Sequence, residues 1–83
     1  MLSESATSIS SVVVHTRAGT ADAVARAIAD VGDAEVRASD GSGRLVVLIE
    51  TADDGGLFQT WRRIETLDDV LSVALVYHQV DAG

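Results

Sequence analysis

Two stretches decide the fold of this chain: Ile9-Ser10-Ser11-Val12-Val13-Val14-His15 near the front and Leu71-Ser72-Val73-Ala74-Leu75-Val76-Tyr77-His78-Gln79 at the back. Each is short, rich in β-branched residues and bounded by polar turns, so each reads as a strand covered on much of both faces. The chain has 83 residues, enough for one domain. A domain of this size buries only about 60% of its unfolded surface, so its core is thin. Little structure is left to cover a second sheet face, and the apolar residues on that face point to a partner.

Between these strands the chain reads as two helices and two further strands. Thr16-Arg17-Ala18-Gly19 is a loop. Thr20 stands where a helix cap belongs, and Asp22 falls in the first turn, where the helix dipole favours negative charge. Ala21, Val24, Ala25, Ile28 and Val31 make one apolar stripe, and Gly32 ends the helix. Glu35-Val36-Arg37-Ala38-Ser39 alternates and reads as a half-buried edge strand. Asp40-Gly41-Ser42-Gly43 is a hairpin turn by composition. Arg44-Leu45-Val46-Val47-Leu48-Ile49-Glu50 is a central strand, apolar on both faces. A second helix is expected from about Leu57, since a glycine costs roughly 1 kcal/mol inside a helix and Gly55-Gly56 comes just before. Its stripe is Leu57, Phe58, Trp61 and Ile64.

The order βαββαβ makes a split βαβ, the ferredoxin-like α+β sandwich. Right-handed crossovers put both helices on one face of an antiparallel sheet in spatial order 4-1-3-2. The domain is expected over residues 8–80, with 1–7 and 81–83 as mobile tails. Period-two alternation sends Val12, Val14, Val36, Ala38, Leu45, Val47, Ile49, Leu71, Val73, Leu75 and Tyr77 to the core. The open face then holds Ser11, Val13, His15, Val46, Leu48, Glu50, Ala74, Val76 and His78, an apolar centre with a polar rim. Such a patch marks an interaction site. A different molecule is the preferred occupant over a second copy pairing sheet to sheet, and weak self-association stays open.

Composition narrows the partner. With 13 acidic and 6 basic residues the formal charge is −7, which repels nucleic acid and anionic lipid and draws cationic partners. The open face lacks aromatics for base stacking. No apolar run nears the roughly 18 residues of a membrane span, and the first residues lack the charged and apolar regions of a secretory signal. Cysteine is absent, which removes disulfides and thiol-based metal sites and agrees with a reducing compartment. His15 and His78 are expected about 20 Å apart along neighbouring strands, too far for a shared metal or catalytic pair. Ser10, Ser11 and Ser72 are expected to lack a histidine–carboxylate pair to activate them. Asp53-Asp54 and Asp68-Asp69 suit helix capping or solvation. No catalysis and no cofactor are expected.

The opening strand, Gly43-Arg44-Leu45-Val46-Val47 and the closing Leu71–Gln79 segment resemble the NapD family over roughly residues 8 to 79. Its members open on a Ser-Ser-aliphatic-Val-Val-His strand and close on a Leu-Ser-x-x-Leu-Val-Tyr-His strand. Many carry a proline–glycine pair where this chain has Asp68-Asp69. The resemblance implies a cytoplasmic chaperone for the catalytic subunit of the periplasmic nitrate reductase. It would bind that subunit's twin-arginine signal peptide, as a helix on the sheet, and delay export until the cofactors are in place. An apolar sheet and an acidic surface suit such a peptide. Glu50 and Glu35 are structural guesses for meeting its arginines. The competing class is a dimeric small-molecule sensor of the ACT type. Such sensors place glycine-rich ligand loops after the first strand, where this chain has the single Gly19.

Overall fold

The computed structural model describes the backbone of residues 7–81 and the side chains of residues 8–78. The two expected tails lie almost wholly outside those residues. The elements are β1 (Thr7–Thr16), α1 (Ala21–Ala29), β2 (Ala34–Ser39), β3 (Arg44–Thr51), α2 (Asp54–Glu65) and β4 (Val70–Asp81). They form one antiparallel sheet in the order β2-β3-β1-β4, the ferredoxin-like arrangement expected from the element order.

A single apolar cluster joins the sheet to both helices. Val12 and Val14 of β1 and Leu45, Val47 and Ile49 of β3 are buried with Val24 and Ile28 of α1 and Leu57 and Ile64 of α2. All five strand residues occupy alternate positions and pair across the ladder on one face, Val12 with Val47 and Val14 with Leu45. Both helices therefore cover that face, and the other face has none. Among the described residues no helix is long and apolar enough to cross a membrane.

The β1–β3 ladder runs without interruption from Ser8 opposite Thr51 to His15 opposite Arg44, so simple alternation holds there. The outer strands do not follow it. In β4, Tyr77 pairs with Ser11 but Leu75 pairs with Val12, so Val76 is an extra residue at a β-bulge. A bulge reverses which residues face which side. Tyr77, expected in the core, shares the open face with Ser11. His78, expected on the open face, shares the helix side with Ser10. In β2, Val36 pairs with Val47 and Ala38 with Val46, so Arg37 is the extra residue. Ala38 consequently sits on the open face rather than in the core. A third irregularity skips Leu71, which is 59% exposed instead of buried. Leu75 does face the helix side opposite Val12, yet an edge strand leaves it 48% exposed.

The helix ends also depart in part from expectation. Thr20 occupies the cap position of α1 without capping it; its hydroxyl donates to the Arg17 carbonyl at 2.6 Å. The helix ends at Ala29, and Gly32 follows in the left-handed region at φ +95°. Helix α2 starts at Asp54, not Leu57, and includes both glycines. Close packing outweighs the propensity cost: a Cβ on Gly56 would come within 3.0 Å of the Thr51 side chain. Asp53 caps the helix by accepting a hydrogen bond from the Gly56 amide at 2.8 Å. Replacing Asp53 by alanine should lower unfolding stability by about 1 kcal/mol in a urea titration, the usual value of such a cap. Phe58, expected in the core, is 64% exposed. It lies about 100° around the helix from Leu57, beyond the buried arc.

The β2–β3 turn is held by Asp40, whose Oδ1 accepts from the Ser42 and Arg44 amides at 2.7 and 3.1 Å. These bonds, first the one from Ser42, keep its carboxyl below the usual aspartate range. A lowered folded-state value means that the turn's contribution is complete at neutral pH and is lost as pH falls through that lowered value.

Candidate functional site

The helix-free face is organised in rows that cross the sheet. The central row runs Ala74–Val13–Val46–Ala38 through all four strands. Beside it lies Tyr77–Ser11–Leu48–Glu35. Ile9 and Glu50 form the next pair toward one end, and Ser72–His15–Arg44 the row toward the other. Val13 and Leu48 are half-buried even with nothing above them, and Val46 is 38% exposed. The face is apolar in the middle and polar at both ends.

Charge divides those ends. Arg44 and His15 stand at one, and Glu50 and Glu35 at the other. At the acidic end a hollow of about 290 Å³ is lined by Gly32, Asp33, Ala34, Glu35, Leu48 and Glu50. Glu35 approaches Arg37 at 3.6 Å, both well exposed. The hollow opens from the α1–β2 connection onto the edge of the second row.

Of the residues expected on this face, Ser11, Val13, His15, Val46, Leu48, Glu50 and Ala74 are brought together there. His78 is not, because the bulge turns it to the other side. Val76 is the bulge residue, outside the row pattern and 65% exposed. Ile9, Ala38 and Tyr77 belong to the face but were not expected in it. For Ile9 the signal was available, since the alternation that exposes Ser11 exposes Ile9 as well. For Ala38 and Tyr77 it was not, since each depends on a bulge.

The turned histidine corrects a second expectation. Ser10 does have a histidine–carboxylate pair beside it. Its Oγ lies 2.7 Å from His78 Nδ1, and His78 Nε2 lies 3.3 Å from Asp54 Oδ1. The sequence of groups imitates a nucleophile, base and acid. Ser10, however, is 0% exposed, so no substrate can reach its oxygen. Ser8, also buried, donates to the same Asp54 oxygen at 3.0 Å. The cluster gives two buried hydroxyls their partners and ties the start of α2 to β1 and β4. A Ser10→Ala variant should lose about 1 kcal/mol of stability, the value of one such bond, because water can replace it at the partly exposed histidine. Calorimetry of its unfolding beside that of the wild type would show the loss. His15 and His78 lie on opposite faces and cannot act together.

The β1–α1 loop, where a small-molecule sensor would bind, borders a hollow of about 360 Å³ with the hairpin turn. Small residues line it, and Asp22 supplies its one charge. The built surface of this molecule is the sheet.

The domain is ferredoxin-like, with one sheet face uncovered by helices, apolar at its centre and divided in charge between its ends. Residues 7–82 match the family model described as NapD protein, and the chain belongs to the NapD family. Over 46 residues it is 46% identical to the chaperone NapD of Escherichia coli strain K12, and equally to that of Shigella flexneri. That stretch is 54% of this chain and 53% of theirs, so the match spans about half the length of these curated relatives. The solution structure of the E. coli Tat proofreading chaperone protein NapD aligns over 93% of this chain and 82% of its own, with a TM-score of 0.85 and 31% identity.

Proposed function

We propose that the chain is a cytoplasmic chaperone that binds the twin-arginine signal peptide of the periplasmic nitrate reductase catalytic subunit and delays export until cofactor insertion is complete. The observation that carries this reading is the run of apolar rows with Glu50 and Glu35 at one end and Arg44, paired with Asp40 at 3.6 Å, at the other. From Ile9 to His15 the face is about 20 Å long, at roughly 3.3 Å per residue. An α-helix of that length has about 13 residues at 1.5 Å each. A signal peptide's apolar region is 7–15 residues and follows its positive region. A helix laid along the strands, across the rows, therefore fits the apolar region over Val13, Val46, Leu48 and Ala74. Its arginines then fall at Glu50, Glu35 and the hollow beside Asp33.

The membership of the family and the likeness to a Tat proofreading chaperone support this assignment over a small-molecule sensor. The test is an amide NMR titration with the leader peptide of a nitrate reductase catalytic subunit. The expected shifts concentrate at Val13, Val46, Leu48 and Ala74, and are small at Val24 and Ile28. Shifts confined to the helix side would exclude the sheet as the site.

A further inference from the structure

The helix-free face ends, away from Glu50, in the row Ser72–His15–Arg44. Each of these side chains can donate a hydrogen bond. Arg44 pairs with Asp40 at 3.6 Å, and the other oxygen of that carboxylate accepts from the Ser42 and Arg44 amides. Asp40 is thus engaged by the hairpin turn, and Arg44 is engaged by Asp40. His15 is exposed, and its ring has no hydrogen-bond or ion-pair partner among the described residues. A histidine keeps a ring N–H to donate in either tautomer and when protonated. His15 therefore offers a donor to a molecule lying on the sheet, at the end opposite the acids.

A bound helix brings the matching group. The carbonyls of its last turn have no partner within it, and the aligned peptide dipoles make that end negative. Its first turn is positive and suits carboxylates. The face from Ile9 to His15 holds a helix of about 13 residues. With the arginines at Glu50 and Glu35, the first turn stands over the acids and the last turn over His15. Both ends meet their complement in this one orientation, along the N-to-C direction of β1. The reversed helix would set its arginines against Arg44 and His15, and its free carbonyls against Glu50 and Glu35.

We propose that His15 caps the C-terminal end of the bound signal-peptide helix, donating from its ring to a carbonyl of the last turn, and so fixes the peptide parallel to β1; this rests on the sheet as the peptide's site. The cap also sets a length. It favours peptides whose apolar region carries the helix far enough beyond the arginines to reach His15, a discrimination that charge steering alone does not supply.

The test uses the full chain and a nitrate reductase leader peptide with a nitroxide at one end of its apolar region or the other. The label beside the arginines should broaden the amide signals of Leu48 and Glu50 most, and the label at the far end those of His15, Arg44 and Ser72. The exchanged pattern would overturn the proposal and leave the sheet as the site. Broadening confined to Val24 and Ile28 would overturn both. Stopped-flow release then isolates the cap. His15→Ala should release the peptide about three- to tenfold faster, the value of one hydrogen bond at a helix terminus. A peptide one helical turn shorter, which stops before His15, should leave wild type and variant at the same rate. Equal release of the full-length peptide by both proteins would overturn the proposal. So would an equal acceleration for the short peptide, since His15 would then act on the face at large.

Discussion

Val46→Asp should abolish signal-peptide binding while the domain remains folded. Val46 sits where the central row crosses the sheet, flanked by Val13 on β1 and Ala38 on β2. In the free protein it is 38% exposed, so a carboxylate there keeps its water and costs at most about 1 kcal/mol in strand propensity. Under a bound apolar helix the same carboxylate loses its water and gains no peptide cation, because the acidic end that draws the arginines is a row or more away, while Arg44 in the neighbouring row is already paired with Asp40 at 3.6 Å. Stranding a charge in that way costs several kcal/mol. About 3 kcal/mol is already a hundredfold in affinity. Titration calorimetry with the leader peptide should therefore find no measurable heat, with a normal circular dichroism spectrum. A variant that binds within a few-fold of wild type would move the site off this face.

The parts of the molecule legible from sequence are those where alternation runs undisturbed. Val12 and Val14 on β1 and Leu45, Val47 and Ile49 on β3 sort themselves because their ladder has no bulge. The centre of the candidate site, Val13, Val46 and Leu48, follows from the same regularity. The outer strands resist the same reading. Val76 and Arg37 are extra residues only relative to their partner strands, and nothing in Leu75-Val76-Tyr77-His78 marks which one is unpaired. The cluster of buried Ser10 with His78 and Asp54 was hidden for that reason. At Gly55-Gly56 local propensity argued against a helix, but the Asp53 cap starts α2 before them and the close approach of Thr51 leaves room only for glycine at 56. Asp69 shows the converse. It has φ +70°, in the left-handed region that favours glycine. Aspartate is one of the few residues that tolerate it. Arg17 holds it there, with a backbone bond at 2.8 Å and an ion pair at 3.3 Å.

Glu50→Gln should speed release of the signal peptide about tenfold or more, whereas Glu35→Gln should chiefly slow its capture at low salt. Both carboxylates border the acidic hollow, but their surroundings differ. Glu35 lies on the edge strand with Arg37 3.6 Å away, so part of its field is already answered. Glu50 lies on the central strand β3, beside Ile9 and next to half-buried Leu48, where an arriving helix excludes more water. A hydrogen bond to a charged group in such a place contributes about 1.5–3 kcal/mol, and it must be broken for the peptide to leave. The exposed charges act at longer range. They steer a cationic leader toward an acidic protein, and screening beyond about 8 Å at physiological ionic strength weakens that attraction. Stopped-flow association at low and high salt separates the two roles. Raising salt should slow association of the wild type and leave its dissociation nearly unchanged. The Glu50 variant should dissociate faster at either salt concentration, and the Glu35 variant should associate more slowly only at the lower one. Rates indifferent to salt and to both substitutions would leave the apolar rows as the whole of the recognition and the acidity as a determinant of solubility alone.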